Sequence, residues 1–158
     1  MKFLLSVALL VMSNITVGQS LGKERVDRLR QAVVRVFIED KPVGTGFFVT
    51  NDGIITCWHV IESALLQGRG IQKKITIEFT DGYRVEIAGF APTAIFKEGR
   101  FDAVSNDYCL MVTKGVTQHK VVPLKLGNFD RIEEGELVYT CGYPFGIEQQ
   151  FISTGILS

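Results

Sequence analysis

The chain consists of short apolar runs separated by turn residues, and this spacing limits the folds open to it. The runs VGTGFFVT and IITCWHVI flank Asn51-Asp52-Gly53, and the runs KITIEFT and YRVEIAGF flank Asp81-Gly82. An Asp-Gly pair between two apolar runs is typical of a β-hairpin turn. Apolar and polar residues alternate along the second pair of runs, as expected for strands with one buried face. The sequence therefore predicts two hairpins.

Further short runs extend the all-β prediction. AVVRVFIED, YCLMVT, ELVYTCGYPFG and QQFISTGILS each predict a strand, and Pro123 marks KVVPLKLGN as an edge or irregular strand. LGKERVDRLRQ predicts a short helix or lead-in segment, and IESALLQG a short helix after His59. Many short strands with frequent turns and no long helix indicate an all-β barrel or sandwich.

The first residues predict export. Lys2 precedes the apolar stretch FLLSVALLVM, and small and polar residues follow in SNITVGQS, which is the arrangement of a secretory signal peptide. The stretch is too short to span a bilayer, which takes about 20 apolar residues. We expect residues 1–18 to be a signal peptide and residues 19–32 a lead-in segment. The mature protein is then secreted or periplasmic and has no membrane segment.

The overall charge excludes one class of partner. Lys and Arg total 17, Asp and Glu also total 17, and 46% of the residues are hydrophobic, which is typical of a globular protein. The small basic cluster of Arg69, Lys73 and Lys74 is expected to be a solvated loop. Binding to a phosphate backbone requires a basic face, so no nucleic-acid partner is expected.

The three cysteines, Cys57, Cys109 and Cys141, all occur in apolar, strand-like runs. An odd number leaves at least one thiol unpaired, and we expect buried free thiols with structural roles. Cys57 and His59 form a Cys-x-His pair, but zinc sites that are recognisable from sequence carry paired ligands such as C-x₂-C, which this chain lacks. Neither a metal nor a cofactor is therefore expected.

The segment GTGFFVTNDGIITCWHVI resembles the first half of the trypsin-like serine proteases and is most similar to the bacterial Do-like, high-temperature-requirement branch. Gly44-Thr45-Gly46-Phe47 matches the strand before the turn, and Thr56–Val60 matches the block with the catalytic histidine. The resemblance implies that His59 is the catalytic base, a role suited to an imidazole with an unperturbed pKa of ~6.5. Trp58 departs from the family, which usually has a small residue before the histidine.

The acid that supports the histidine is implied by a second block. SNDYCLMV resembles the family segment whose aspartate orients the base, which implies Asp107. Asp102, in FDAVS, is the alternative, but Ser105 and Asn106 interrupt the strand pattern after it. LGNFDRIEEGELVYTCGYPFG and STGILS resemble the next two family segments, so the four blocks occur in family order between Val33 and Ser158. His119 has no such motif beside it and is expected at the surface.

The serine nucleophile is not expected within these residues. The family carries it in a G-x-S-G-G block after the last of the four segments, and Ser153 and Ser158 lack that glycine-rich turn. The three cysteines occur too early to replace it. The resemblance therefore implies that residues 33–158 are an incomplete trypsin-like domain, with the first barrel and the start of the second of a chymotrypsin-like double β-barrel. We expect no peptidase activity from this chain by itself.

The resemblance implies the N-terminal part of an exported serine endopeptidase that acts on proteins or peptides. It leaves the oligomeric state of the full-length protein open. An alternative from another class is a catalytically inactive relative that binds proteins or peptides. A third interpretation, an unrelated secreted β-barrel for small ligands, leaves the order of the four blocks unexplained.

Overall fold

The computed structural model describes residues 22–66, 70–91, 96–97, 100–101, 107–115 and 119–158. The predicted signal peptide, Arg69 and the alternative acid Asp102 lie outside the described residues. The helices are α1 (Lys23–Ala32) and α2 (Trp58–Ile61), and single 3₁₀ turns cover Glu62–Ala64, Phe129–Arg131 and Pro144–Gly146. The strands are β1 (Val33–Ile38), β2 (Lys41–Phe48), β3 (Gly53–Thr56), β4 (Leu65–Leu66), β5 (Gly70–Ile71), β6 (Ile75–Glu78), β7 (Arg84–Ala91), β8 (Phe96–Lys97), β9 (Arg100–Phe101), β10 (Cys109–Thr113), β11 (Leu137–Gly142) and β12 (Phe151–Ile156).

Six of these strands close into an antiparallel barrel in the order β1–β2–β3–β10–β7–β6. Both predicted hairpins form, since β2 pairs with β3 and β6 pairs with β7. Strands β4 and β5, β8 and β9, and β11 and β12 make three separate two-stranded sheets. The all-β prediction is confirmed. Among the described residues, no helix has both the length and the apolar character needed to cross a membrane.

The barrel interior holds the core of the protein. Because side chains alternate between the two faces of a strand, one face of each barrel strand can point inward. Phe48, Ile54, Ile77 and Met111 are fully buried, and so is Ile61, which comes from α2. The short helix after β3 is therefore packed against the same core as the strands.

The hairpin of β11 and β12 lies outside the barrel but contacts it through β2. Thr45 Oγ1 accepts a hydrogen bond from the backbone N–H of Tyr143 at 2.8 Å. Gly146 adopts a φ of +72°, and a Cβ at this glycine would lie 2.7 Å from the carbonyl carbon and oxygen of Pro42. The GYPFG turn thus packs tightly against the start of β2.

Two local predictions were wrong. The run IITCWHVI is not one strand, because β3 ends at Thr56 and α2 begins at Trp58. Thr56 lies opposite Cys109, the first residue of β10, and the β3–β10 ladder ends at this pair. KVVPLKLGN is not a strand either. It is irregular, and its Leu124 N–H donates to the carbonyl of Phe48 at 2.8 Å.

Candidate active site

The pairing of β3 with β10 brings His59 and Asp107 together from positions 48 residues apart. The register places Thr56, the last residue of β3, opposite Cys109, the first residue of β10. His59 follows Thr56 by three residues and Asp107 precedes Cys109 by two, so in an antiparallel pair both emerge at the same end of the barrel. The position of the pair thus follows directly from the strand register.

Asp107 makes two contacts with His59. Its Oδ1 accepts the backbone N–H of His59 at 2.9 Å, and its Oδ2 lies 2.5 Å from Nδ1 of the ring. The His59 backbone N–H is the main cause that lowers the pKa of Asp107, and the His59 ring and the Trp58 backbone N–H act in the same direction against partial burial. The carboxylate is therefore ionised at neutral pH, and it accepts a hydrogen bond from Nδ1 in the tautomer that has its proton there.

The pair remains open to solvent, with 66% of the His59 side chain and 39% of the Asp107 side chain exposed. An ionised carboxylate on Nδ1 favours the tautomer in which that nitrogen carries the proton. The other ring nitrogen, Nε2, then has a free lone pair. The arrangement can accept a proton from a hydroxyl that approaches Nε2.

Two features fix the helix that carries His59. Trp58, the residue that departs from the family pattern, is 6% exposed and meets the Phe90 ring edge-on at 6.2 Å. A Cβ on Gly44 would lie 2.9 Å from Cγ2 of Val60, so glycine in β2 allows α2 to approach the barrel closely. Trp58 is accommodated as a core residue and leaves His59 on the exposed side.

The prediction that the three cysteines are buried holds only in part. Cys109 is buried, as expected, and burial raises its pKa to about 11. Cys57 is exposed, which contradicts the prediction of a buried thiol, because Cys57 follows the last residue of β3 and no longer faces the barrel interior. Partial desolvation and the charge of Asp107 raise the pKa of Cys57. Cys141 is partly buried.

The structure also brings Cys57 into a group that could hold a metal ion. One ligand atom each from Cys57, His59 and Asp107 lie within 4.8 Å of one another. The sequence shows only the Cys-x-His pair, since Asp107 reaches it through the β3–β10 register. No sequence spacing could have indicated this third ligand.

His119 forms a second histidine–aspartate pair, which no motif in the sequence indicates. Its Nε2 lies 2.6 Å from Oδ2 of Asp81, and its ring stacks on Tyr83 at a centroid distance of 4.3 Å. The His119 side chain is 31% exposed, so it lies at the edge of the barrel surface. The Ser153 hydroxyl shares a hydrogen bond with the Thr140 hydroxyl of the neighbouring strand at 2.6 Å.

The closed antiparallel barrel defines an all-β fold of the chymotrypsin-like class. The sequence matches the trypsin-like peptidase domain family over residues 44–158, so the chain belongs to that family. It is also 30% identical over 118 residues to a protein of Chlamydia trachomatis serovar D named as a probable periplasmic serine endoprotease, DegP-like. That match covers 73% of this chain and 19% of the relative, so the chain spans about a fifth of the relative's length. The resemblance to the Do-like branch of trypsin-like proteases is confirmed.

Proposed function

We propose that this chain is the N-terminal part of an exported serine endopeptidase, in which His59 is the catalytic base and Asp107 orients it. The observation that carries the proposal is the contact between His59 Nδ1 and Asp107 Oδ2 at 2.5 Å, at the end of adjacent barrel strands. Membership of the trypsin-like peptidase family supports the reaction class.

The proposed mechanism uses the two ring nitrogens of His59 differently. Asp107 holds the proton on Nδ1, so Nε2 accepts the hydroxyl proton of a serine as that oxygen attacks the peptide carbonyl. His59 then returns the proton to the leaving amine. The ionised Asp107 stabilises the imidazolium between these two steps, and its lowered pKa keeps it ionised throughout.

The proposed nucleophile lies outside these 158 residues. No G-x-S-G-G block occurs in the sequence, and the Ser153 hydroxyl is engaged with Thr140. The hairpin of β11 and β12 exposes apolar side chains, with Phe151 51% and Ile156 68% exposed. These exposed residues support the proposal that further strands pack on the hairpin to complete a second barrel.

The substrates, the location and the partners of the protein follow from the same proposal. Protein or peptide substrates are expected for an endopeptidase, and the predicted signal peptide supports a secreted or periplasmic site of action. The related protein is named as periplasmic, which supports the same location. No nucleic-acid partner is proposed, because the net charge is zero.

The test uses the reading frame continued past Ser158 by about 60 residues, the length needed for a domain of ~200 residues. We expect a G-x-S-G-G block there and labelling of the protein by a fluorophosphonate probe. His59→Ala should reduce the labelling rate by at least about a thousandfold, since loss of the base leaves the serine unactivated. The 158-residue chain should not cleave casein.

The matched control is His119→Ala, which removes the other histidine that contacts an aspartate. Labelling should remain within a few-fold of the unmodified protein, because His119 contacts Asp81 and Tyr83 of the β6–β7 turn and not Asp107. Equal loss in both variants would refute the assignment of His59. A serine replaced in an otherwise intact block would instead favour the inactive binding module.

A further inference from the structure

We propose that Cys57, His59 and Asp107 form a binding site for Zn²⁺. The three side chains offer a thiol, an imidazole and a carboxylate, with one ligand atom of each within 4.8 Å of the others. Metal binding is independent of peptidase activity. Its consequence for the histidine, given below, rests on the function proposed above.

The donor set favours zinc over hard cations. Zn²⁺ binds cysteine sulfur, histidine nitrogen and carboxylate oxygen at about 2.0–2.3 Å, whereas Mg²⁺ and Ca²⁺ prefer oxygen donors alone. Three protein ligands leave the fourth tetrahedral position for water or another ligand, as in open zinc sites. The group therefore has both the number and the types of donor that such a site requires.

The separations are also compatible with one ion. Donors bound to a single tetrahedral zinc are about 3.3–3.8 Å apart, by the geometry of the bond lengths above. A pair at the upper limit of 4.8 Å would have to close by about 1 Å, whereas Nδ1 and Oδ2, which are 2.5 Å apart, would have to separate by about 0.8 Å. Cys57 is exposed and 66% of the His59 side chain is exposed, so both can rotate toward the ion.

Zinc and the hydrogen bond between His59 and Asp107 compete for the same atom. Nδ1 lies 2.5 Å from Oδ2 of Asp107, and the metal would take the position of the proton between them. The imidazole then carries its proton on Nε2, and the Cys57 thiol releases its proton to solvent. A histidine in that tautomer has no lone pair on Nε2, so a zinc-bound site would hold the proposed base inactive.

The experiment titrates the 158-residue chain with Co²⁺, a spectroscopic substitute for Zn²⁺, and then displaces the Co²⁺ with Zn²⁺. We expect visible absorption typical of tetrahedral Co²⁺, together with a near-ultraviolet sulfur-to-cobalt charge-transfer band. Zn²⁺ should abolish both. Cys57→Ser should remove the charge-transfer band and weaken Zn²⁺ binding at least tenfold, whereas Cys141→Ser, a change at a partly buried thiol of β11, should leave both unchanged.

A second pair of variants tests the carboxylate. Asp107→Asn should weaken Zn²⁺ binding at least tenfold, and Asp81→Asn, at the histidine–aspartate pair without a thiol, should change it less than twofold. Absence of the charge-transfer band, or equal losses in either matched pair, would overturn the proposal. Because no peptidase assay is used, a negative result would leave the proposed function standing, and failure of probe labelling would leave the metal site standing.

Discussion

At the scale of single residues, Asp107 acts on both the backbone and the side chain of His59. Its Oδ1 accepts a hydrogen bond from the backbone N–H of His59, and its Oδ2 contacts Nδ1 of the His59 ring. A group that accepts two hydrogen bonds in its ionised form binds its own proton less readily, which agrees with its lowered pKa. Asp81 is a useful comparison, because it also has two such contacts. Its Oδ1 accepts a hydrogen bond from the backbone N–H of Tyr83 at 3.1 Å, and its Oδ2 contacts Nε2 of His119.

Amide hydrogen exchange measures the backbone part of this contact. Asp107→Ala should accelerate exchange of the His59 amide about fivefold, since a solvent-exposed hydrogen bond contributes about 1 kcal/mol. Exchange of the Tyr83 amide should not change. Asp81→Ala should give the reverse pattern, and acceleration of both amides by either variant would contradict the pairing.

The same bond has a pH dependence of known sign. The pKa of Asp107 in the folded protein is lower than its ordinary value of 3.8, so the contribution of the ionised form is complete above that pH and is lost as pH falls through the folded-state pKa. Protection of the His59 amide should therefore persist from neutral pH to about pH 4. Loss of protection between pH 6 and 5 would show that Asp107 is not the acceptor.

At the scale of elements, β1, β6 and β7 share a charged network on the outside of the barrel. Glu78 of β6 forms ion pairs with Arg35 of β1 and with Arg84 of β7, and Arg84 also reaches Asp40. The Arg35 and Glu78 side chains are only 12% and 13% exposed. Burial would raise the pKa of Glu78, but hydrogen bonds from Arg84 and Arg35 outweigh it and lower the pKa.

Removing the charge of Glu78 should destabilise the protein. Glu78→Gln leaves Arg35 largely buried without its counter-charge, and we expect the free energy of unfolding to fall by about 2–4 kcal/mol in urea denaturation at pH 7. Because the folded-state pKa of Glu78 is lowered, the difference from the unmodified protein should be full above its ordinary value of 4.5 and shrink as pH falls below it.

The control is Glu86→Gln, at an exposed pair. Glu86 lies 3.7 Å from Lys114, and the two side chains are 44% and 69% exposed. Such an exposed pair contributes at most about 1 kcal/mol in water. Equal effects of the two substitutions would mean that the Glu78 network stabilises no more than a surface ion pair does.

At the scale of the whole molecule, the GYPFG turn joins the β11–β12 hairpin to the barrel. Gly146 lies against the backbone of Pro42, and its positive φ is unfavourable for any residue with a Cβ. Phe145 next to it also has a positive φ, 56°, and is 98% exposed. Besides the hydrogen bond between Tyr143 and Thr45, the junction therefore contains a glycine that has neither the space nor the backbone conformation for a side chain.

Gly146→Ala should disrupt this junction. We expect a loss of about 2–3 kcal/mol in the free energy of unfolding, from backbone strain together with the overlap with Pro42. Gly155→Ala, in β12 of the same hairpin, should cost less than about 0.5 kcal/mol, because its Cβ would meet only Val138 Cγ2 at an ordinary 3.8 Å. Equal losses in the free energy of unfolding for the two substitutions would show that the GYPFG turn does not pack tightly against Pro42.

The sequence alone determined the fold class, the two Asp-Gly hairpins and the identity of His59 and Asp107 as candidates. The fold class and the hairpins depend on alternation and turn chemistry, which are properties of neighbouring residues, whereas the two candidates came from the resemblance of their motifs to the trypsin-like family. Tertiary structure decided where IITCWHVI stops being a strand, since the β3–β10 ladder ends at the pair of Thr56 and Cys109 and α2 begins at Trp58. It also decided that Cys57 is exposed beside Asp107 and that His119 meets Asp81, since contacts across tens of residues depend on strand register, which is set only when the barrel closes.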